Sequence, residues 1–478
     1  MMIGWLLLLL VAAFVLVLVI RTLQFKPIPQ KSVPDMPVTV DEKKIVQDMQ
    51  DMIRCKTISN ADPTQMDLSE FSKFQLLLAD RFPTVHEKCT LTKLGHTGLL
   101  YHLPGKKHEK VSVCMSHYDV VPIDEGGWSK PAFEGILENG TIWGRGTLDT
   151  KATLCGVMEA LEALLQEGYI PENDLYLSFS GDEEVDGGSC PAIVDWFERR
   201  GIRPDLVLDE GGAVVDHTFP GFSGQCAMVG IAEKGGFNVD FTMLSQGGHA
   251  STPPPRQLLG HLSRALLKVE KDHFPIQLTK PTAEMFNTIG RHSNFLFRMI
   301  FANLWCFQPV LNLYSKLGGG EINALLRTTV AITKFEGSQA YNVMPPKGSF
   351  GVNLRLLGND TMDSAIERLK SVIKDSRIEV TNVGGMNPSP VSDIHCAEWE
   401  TLKTAIRQTW PEAVVSPYLM MACSDSRHYN RISDKVYRFS AMHLSKEERR
   451  SIHGNDEKIP VQTLLTTVAF YTRLLKML

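Results

Sequence analysis

The sequence predicts an α/β protein of more than one domain, and three observations carry that expectation. Apolar strand-like runs that end in polar residues alternate with amphipathic helices. A segment of two-residue alternation breaks into that pattern midway, and an uncharged apolar run of 20 residues precedes everything. The chain has 478 residues, enough for about two or three domains. Its hydrophobic share of 43% supports ordinary globular cores. The net charge of −5 and the lack of a long basic run argue against nucleic acid as a partner. Nine cysteines are scattered singly with no CxxC pair, which excludes a thiolate zinc finger and a compact disulfide scaffold.

In chain order, residues 1–22 read as a transmembrane anchor. At a helical rise of ~1.5 Å per residue, 20 apolar residues span roughly the 30 Å of bilayer hydrocarbon. A cleaved signal peptide is the alternative, but no basic segment precedes the run and no A-x-A-like site follows it. Arg21, Lys26 and Lys31 follow the run, which by the positive-inside rule would keep the rest of the chain cytoplasmic. Residues 23–40, with four prolines, read as an extended linker.

From residue 41 the α/β pattern begins. Residues 41–55 are amphipathic with acidic groups in the first turn, hence a helix. Residues 111–121 (VSVCMSHYDVV) form an apolar strand running into polar groups, and 150–169 form a helix ended by Gly168. The runs LYLSFSGDEEVDGG and DLVLDEGG repeat the strand design. Open α/β sheets bind ligands at these carboxyl ends. Near Met228 the character changes: GFNVDFTMLS alternates with period two. A helix (258–272), two strand-like runs (324–337 and 348–358) and a helix (362–375) follow, which makes 228–388 a two-helix, four-strand α+β unit. Within it, 274–322 is apolar and aromatic. It reads either as extra core or a dimer interface, or as a wall for a greasy substrate. From residue 389 the α/β pattern resumes, with helices over 397–410 and 461–477, so one domain is expected inside another.

Acidic and histidine residues end these strands or open the loops after them: His117, Asp119, Asp149, Glu183, Glu184, Asp209 and His453. Carboxylates are rarely buried unless paired or metal-bound. Two imidazoles with several carboxylates and no thiolate suit two zinc-like ions, and one carboxylate can bridge them. Asp119 lies two residues from His117, on the same face of an extended strand, where it would orient the imidazole or serve as a ligand itself. Glu183 and Glu184 diverge, so one can hold metal while the other stays free as a base.

The motifs HYDVVP, GRGTLDTKA, GDEEVDGG and IHGNDE, in this order, resemble the dizinc amidohydrolase and metallopeptidase family of aminoacylase, glutamate carboxypeptidase and desuccinylase. The anchor, the long insertion and ACSDSRHY are most similar to carboxypeptidase S and the N-fatty-acyl-amino-acid hydrolases. The resemblance covers about 40–478. It implies a three-layer zinc-peptidase catalytic domain (41–227 and 389–478) and a ferredoxin-like lid and dimerisation domain (228–388). It also implies two Zn²⁺ per chain, replaceable by Co²⁺ or Mn²⁺. His117 and Asp209 would hold one ion and Glu184 and His453 the other, with Asp149 as the bridge. Glu210 sits beside Asp209, which makes that ligand the least secure. Glu183 would be the general base, and His249 would polarise the scissile carbonyl. Asn342, Arg355 and Arg427 would contact substrate, Arg427 through its free α-carboxylate. The alternative for Arg427 is a surface pair with Asp425 or Asp434.

The implied activity is hydrolysis of the amide bond next to a free C-terminal amino acid in small peptides. N-acyl amino acids, including fatty-acyl ones, are the alternative substrates, and an inactive membrane-anchored binding protein is the alternative from another class. The resemblance favours a lumenal or extracytoplasmic catalytic domain, against the charge count above.

Overall fold

The computed structural model describes residues 2–29 and 33–478. Lys31, one of the three basic residues expected to orient the membrane span, lies outside them. The apolar N-terminus forms one helix, Met2–Gln24, of which almost nothing is buried. By length and composition it could cross a membrane or be a signal sequence.

An eight-stranded mixed sheet carries the rest. Its order is Thr90–Leu94, Gly98–Leu103, Asp174–Ser180, Val111–His117, Leu206–Asp216, Val436–His443, Gln225–Glu233 and Val414–Met420. The middle four strands run parallel, so their carboxyl ends share one edge. Side chains alternate between two cores. Val113 and Met115 face the helix Ser189–Arg199, whereas Cys114 joins the larger core with helices Glu42–Ile53, Lys151–Gln166 and Val461–Leu475. Helix, sheet, helix is therefore the layering. All nine cysteines are free thiols, six of them buried.

A second sheet is wholly antiparallel, in the order Thr329–Glu336, Lys347–Leu356, Gly235–Leu244, Glu379–Met386. With helices Leu258–Lys271 and Met362–Ile373 the chain order is β-α-β-β-α-β, the ferredoxin-like arrangement. The pattern arises because one face of each element is apolar: Phe237, Val239 and Phe241 alternate inward and meet Leu262, Val352, Leu354 and Leu369 in a separate core.

Three segments sit elsewhere than the sequence pattern suggests. The change of character placed at residue 228 falls inside Gln225–Glu233, a strand of the large sheet; the second sheet starts at Gly235. Alternation alone could not locate that step, because strand follows strand with Lys234 between them. The apolar stretch 274–322 forms helices Lys280–His292, Phe295–Ala302, Leu304–Gly318 and the start of Gly320–Leu326. Met285, Phe286, Ile289 and Phe301 join the core of the large sheet, not that of the second one. The last of these helices takes in 324–326, which the sequence pattern joins to the following strand.

Leu354→Ala should lower stability by about 2–5 kcal/mol, the usual cost of emptying a fully buried leucine site. Urea denaturation reads this directly, and an unchanged midpoint would contradict a closely packed second core.

Candidate active site

The carboxyl edge of the parallel strands gathers the chemistry-bearing residues. His117 is the last residue of its strand and is 2% exposed. Its Nε2 lies 2.9 Å from Asp149 Oδ1 and 3.4 Å from Glu210 Oε1. Asp149's other oxygen, Oδ2, lies 3.0 Å from His453 Nε2, which is also 3.0 Å from Glu184 Oε2. Asp149 thus presents one oxygen to each imidazole.

Buried carboxylates hold the loops that aim these groups. Asp119, fully buried, sits behind His117 with Oδ1 3.3 Å from Nδ1. Its two oxygens also accept the backbone N–H groups of Glu183 and Glu184 at 3.2 and 3.1 Å. One side chain therefore orients an imidazole and pins the turn carrying both glutamates. Glu457, also fully buried, accepts the backbone N–H groups of Gly146, Leu148 and Asp149 and pairs with Arg145 Nη1 at 2.7 Å. Sequence reasoning assigned no role to Arg145 and Glu457, although both stand inside quoted motifs, GRGTLD and IHGNDE. Their burial, which only the fold reveals, is what marks them.

The strand's geometry separates Asp209, the expected ligand, from its neighbour Glu210. Asp209 pairs with Arg438 and Gly212 with Phe439, leaving Glu210 and Gly211 as a bulge. Gly211 has φ +143, and a Cβ there would meet Arg438 and Met420 at 2.7–2.8 Å. The bulge turns Glu210 toward His117. Asp209 instead accepts the Ser426 N–H at 3.0 Å.

The electrostatics are those of crowded negative charge. Burial, with Asp149 and Asp209 nearby, pushes Glu210 up to about 8. Burial raises Glu183 well above the usual carboxylate range, and Asp425, Glu210 and Asp119 add to it against the pull of His117. Hydrogen bonds to Asp149 and Glu184 push His453 up to about 10. In His117 the penalty of burial is overcome by Glu210, Asp119 and Asp149, and its pKa rises too. A divalent cation would neutralise this concentrated negative charge. Glu184 Oε1 is buried with no hydrogen-bond partner among the described residues. Two donor groups, His117–Asp149–Glu184 and His117–Glu183–Glu210, each bring their ligand atoms within 4.8 Å of one another. Nitrogen and oxygen donors without sulfur, around an orphaned carboxylate oxygen, fit divalent metal ions.

The expected substrate residues fall into two places. Arg427 pairs with Asp186, at the end of the GDEEVD turn, rather than with Asp425 or Asp434, and its side chain is largely buried. Arg355 Nη1 lies 3.3 Å from Cys423 Sγ, so both arginines adjoin the segment 423–427. That segment is tied down by Glu233, which accepts the Ser424 N–H at 3.0 Å and is paired with buried Arg438 at 2.6 Å. Neither Glu233 nor Arg438 stands out in the sequence. His249 lies elsewhere, on the short ribbon Gly248–His249 paired with Val343–Met344. It is exposed, 2.7 Å from Ser251 Oγ, and beside Asn342, whose carbonyl accepts the Ala250 N–H.

A parallel-sheet edge bearing this donor set defines a metal-dependent hydrolase. The chain belongs to Peptidase family M20/M25/M40, whose family model matches residues 113–477, and it is a metallopeptidase of that family. It is 31% identical to "Probable carboxypeptidase S-like 2" of Dictyostelium discoideum, over 92% of this chain and 86% of that protein. It is 30% identical to human "N-fatty-acyl-amino acid synthase/hydrolase PM20D1", over 88% of this chain and 84% of that one. Among solved structures, the M20 family metallo-carboxypeptidase Sso-CP2 of Sulfolobus solfataricus superposes with TM-score 0.65 at 16% identity. That match covers 92% of this chain and 99% of the other. Human carnosine dipeptidase 1 gives 0.64 at 14% identity, over 91% and 96%. At such identities the structural matches speak for the fold.

Glu210→Ala should lower the metal bound per chain, whereas Asp209→Asn should keep it near wild type. Mass spectrometry of the purified variants measures both. Loss of metal from Asp209→Asn alone would restore Asp209 as the ligand.

Proposed function

We propose that this chain is a two-metal, zinc-preferring hydrolase of amide bonds adjoining a free α-carboxylate. The observation that carries the reading is Asp149, one oxygen toward each imidazole, with Glu183 in the adjoining donor group. His117, Asp149 and Glu210 would hold one ion, and Asp149, Glu184 and His453 the other. Bound there, the ions supply Lewis acidity to the attacking water and to the scissile carbonyl.

The chain's own groups do the remaining work. Glu183 takes the proton from the water and later hands it to the departing amine nitrogen. Its burial suits this task, because a raised pKa lets the carboxyl hold the proton between the two events. Asp119 keeps Glu183 at its station through the backbone and is not itself a ligand. Arg427 and Arg355 bind the substrate carboxylate, at a cation site set apart from the negative metal cluster. The second sheet acts as a lid, bringing His249 and Asn342 to the substrate by closure or from a second copy.

Two acyl groups fit. The carboxypeptidase S-like relative supports a peptidyl group. A fatty-acyl group is supported by the relative named for N-fatty-acyl amino acids and by the apolar helix Met2–Gln24, which we infer is a retained membrane anchor. The anchor reading draws on a buried polar clamp. Thr22 and Asn303 are fully buried, and Arg21 Nε donates to Asn303 Oδ1 at 3.0 Å. Cleaving the helix away would leave that clamp unmade.

Glu183→Gln should retain both ions yet lose about 10²–10⁴-fold or more in kcat, the usual worth of a general base. Stopped assays with parallel metal analysis separate it from a ligand variant; full activity would remove Glu183 from the mechanism.

Converting the substrate carboxylate to its amide should cost wild type about 10- to 150-fold in kcat/KM, the worth of one hydrogen bond to a charged group. Arg427→Ala should lose a similar factor on the acid and little further on the amide. Equal turnover of acid and amide by wild type would end the carboxylate-directed reading.

A further inference from the structure

Residues 295–318 contain two charged side chains, Arg298 and Lys316, the latter in the last turn. They build the helices Phe295–Ala302 and Leu304–Gly318. A helix on the surface of a water-soluble domain turns its polar face outward. These two do the reverse: Leu296, Trp305, Val310, Leu313 and Leu317 are each more than half exposed. Patches of this kind mark sites covered by a protein or a membrane.

The neighbouring element identifies the cover. The N-terminal helix packs on this corner, with Asn303 Nδ2 donating to the Leu18 carbonyl at 3.3 Å and Arg21 donating to the Ala302 carbonyl at 3.1–3.3 Å. One helix face further along, Phe14 meets Trp305 edge-on at 5.9 Å between ring centres. The apolar surfaces of the three helices are therefore continuous. The register sets the depth. Arg21 closes the uncharged run and belongs at headgroup level. Phe14 lies seven residues nearer the N-terminus, which at ~1.5 Å per residue is about 10 Å toward the bilayer centre. Trp305 shares that level. Interfacial helices lie about 5–10 Å into the headgroup and acyl boundary, where tryptophan is favoured.

We propose that the helix pair 295–318 is embedded in the membrane surface beside the anchor, its occupant being the lipid acyl chains of one leaflet. The arrangement rests on the anchor reading above. It docks the catalytic body in one orientation against the bilayer, instead of leaving it to swing on a linker, because the Arg21–Asn303–Thr22 clamp joins anchor and enzyme rigidly.

Intrinsic fluorescence of the full chain in phosphatidylcholine nanodiscs tests this. Trp305→Phe and Trp5→Phe each remove one emitter, and the difference from wild type isolates it. The Trp305 component should lose most of its intensity to lipids brominated near the headgroup end of the acyl chain and be insensitive to aqueous iodide. A triple variant, Leu296→Glu, Leu313→Glu and Leu317→Glu, should abolish that quenching while hydrolysis of a water-soluble substrate is retained. If iodide quenches Trp305 and bromolipid does not, while bromolipid still quenches Trp5, the anchor stands and the embedding falls. Shielding of Trp305 from both quenchers would mean a protein cover, such as a second copy, and also overturns the proposal. Failure of bromolipid to quench Trp5 removes the anchor and the embedding together.

Discussion

Concentrated negative charge at the edge of the parallel sheet is the constraint on which the site depends. Asp149, Glu183, Glu184 and Glu210 converge there, with Asp119, Asp209, Asp425 and Glu457 immediately behind. Two imidazoles, Arg145, Lys151 and Arg427 are too few cations to balance them. The fold tolerates this arrangement because Asp119, Asp209 and Glu457 are satisfied by backbone N–H groups and Asp425 by the Ser180 hydroxyl, donors that cost no countercharge. Asp119 secures the 183–184 turn and Glu457 the 146–149 loop. The groups left without such donors face one another, and that is the arrangement in which divalent ions are bound most strongly.

The same device recurs on the substrate side. Glu233 and Arg438 form a buried pair that would by itself be a doubtful source of stability. Its further hydrogen bonds to Ser424 and Ser426 give it a different use, since Ser426 in turn donates to Asp209. The segment carrying Arg427 is thereby locked to the strand that carries Glu210. The ribbon carrying His249 has no comparable tie and stands exposed on the second sheet, whose core is its own. If the second sheet is the lid proposed above, the donor residues sit on a rigid body and His249 and Asn342 on one that could close over them.

The N-terminal helix and the 280–326 insertion belong together physically, although some 270 residues separate them in the chain. A polar clamp at Arg21, Thr22 and Asn303 and the contact of Arg291 with Phe25 join them. The insertion's inner side completes the core of the large sheet through Phe286 and Phe301, and its outer side continues the apolar surface of the N-terminal helix.

Local pattern determined much of this protein. The apolar runs and their polar ends and the 3.6-residue and two-residue periodicities were legible, because each depends on neighbours close in sequence, and His117, Asp149, Glu183, Glu184 and His453 stood out as acids and imidazoles at those polar ends. The spacing of His117 and Asp119 also read correctly as two groups on one face. Tertiary structure decided the rest. The bulge at Glu210–Gly211 is created by pairing with Val436–His443, some 220 residues away, so which of two adjacent acids faces His117 could not be read from their order. The Asp186 partner of Arg427, the Glu457 clamp and the Glu233–Arg438 pair likewise join segments distant in the chain. The same holds for 274–322: its hydrophobicity was evident at once, but only packing against the large sheet and the N-terminal helix decided which apolar residues are core and which remain exposed.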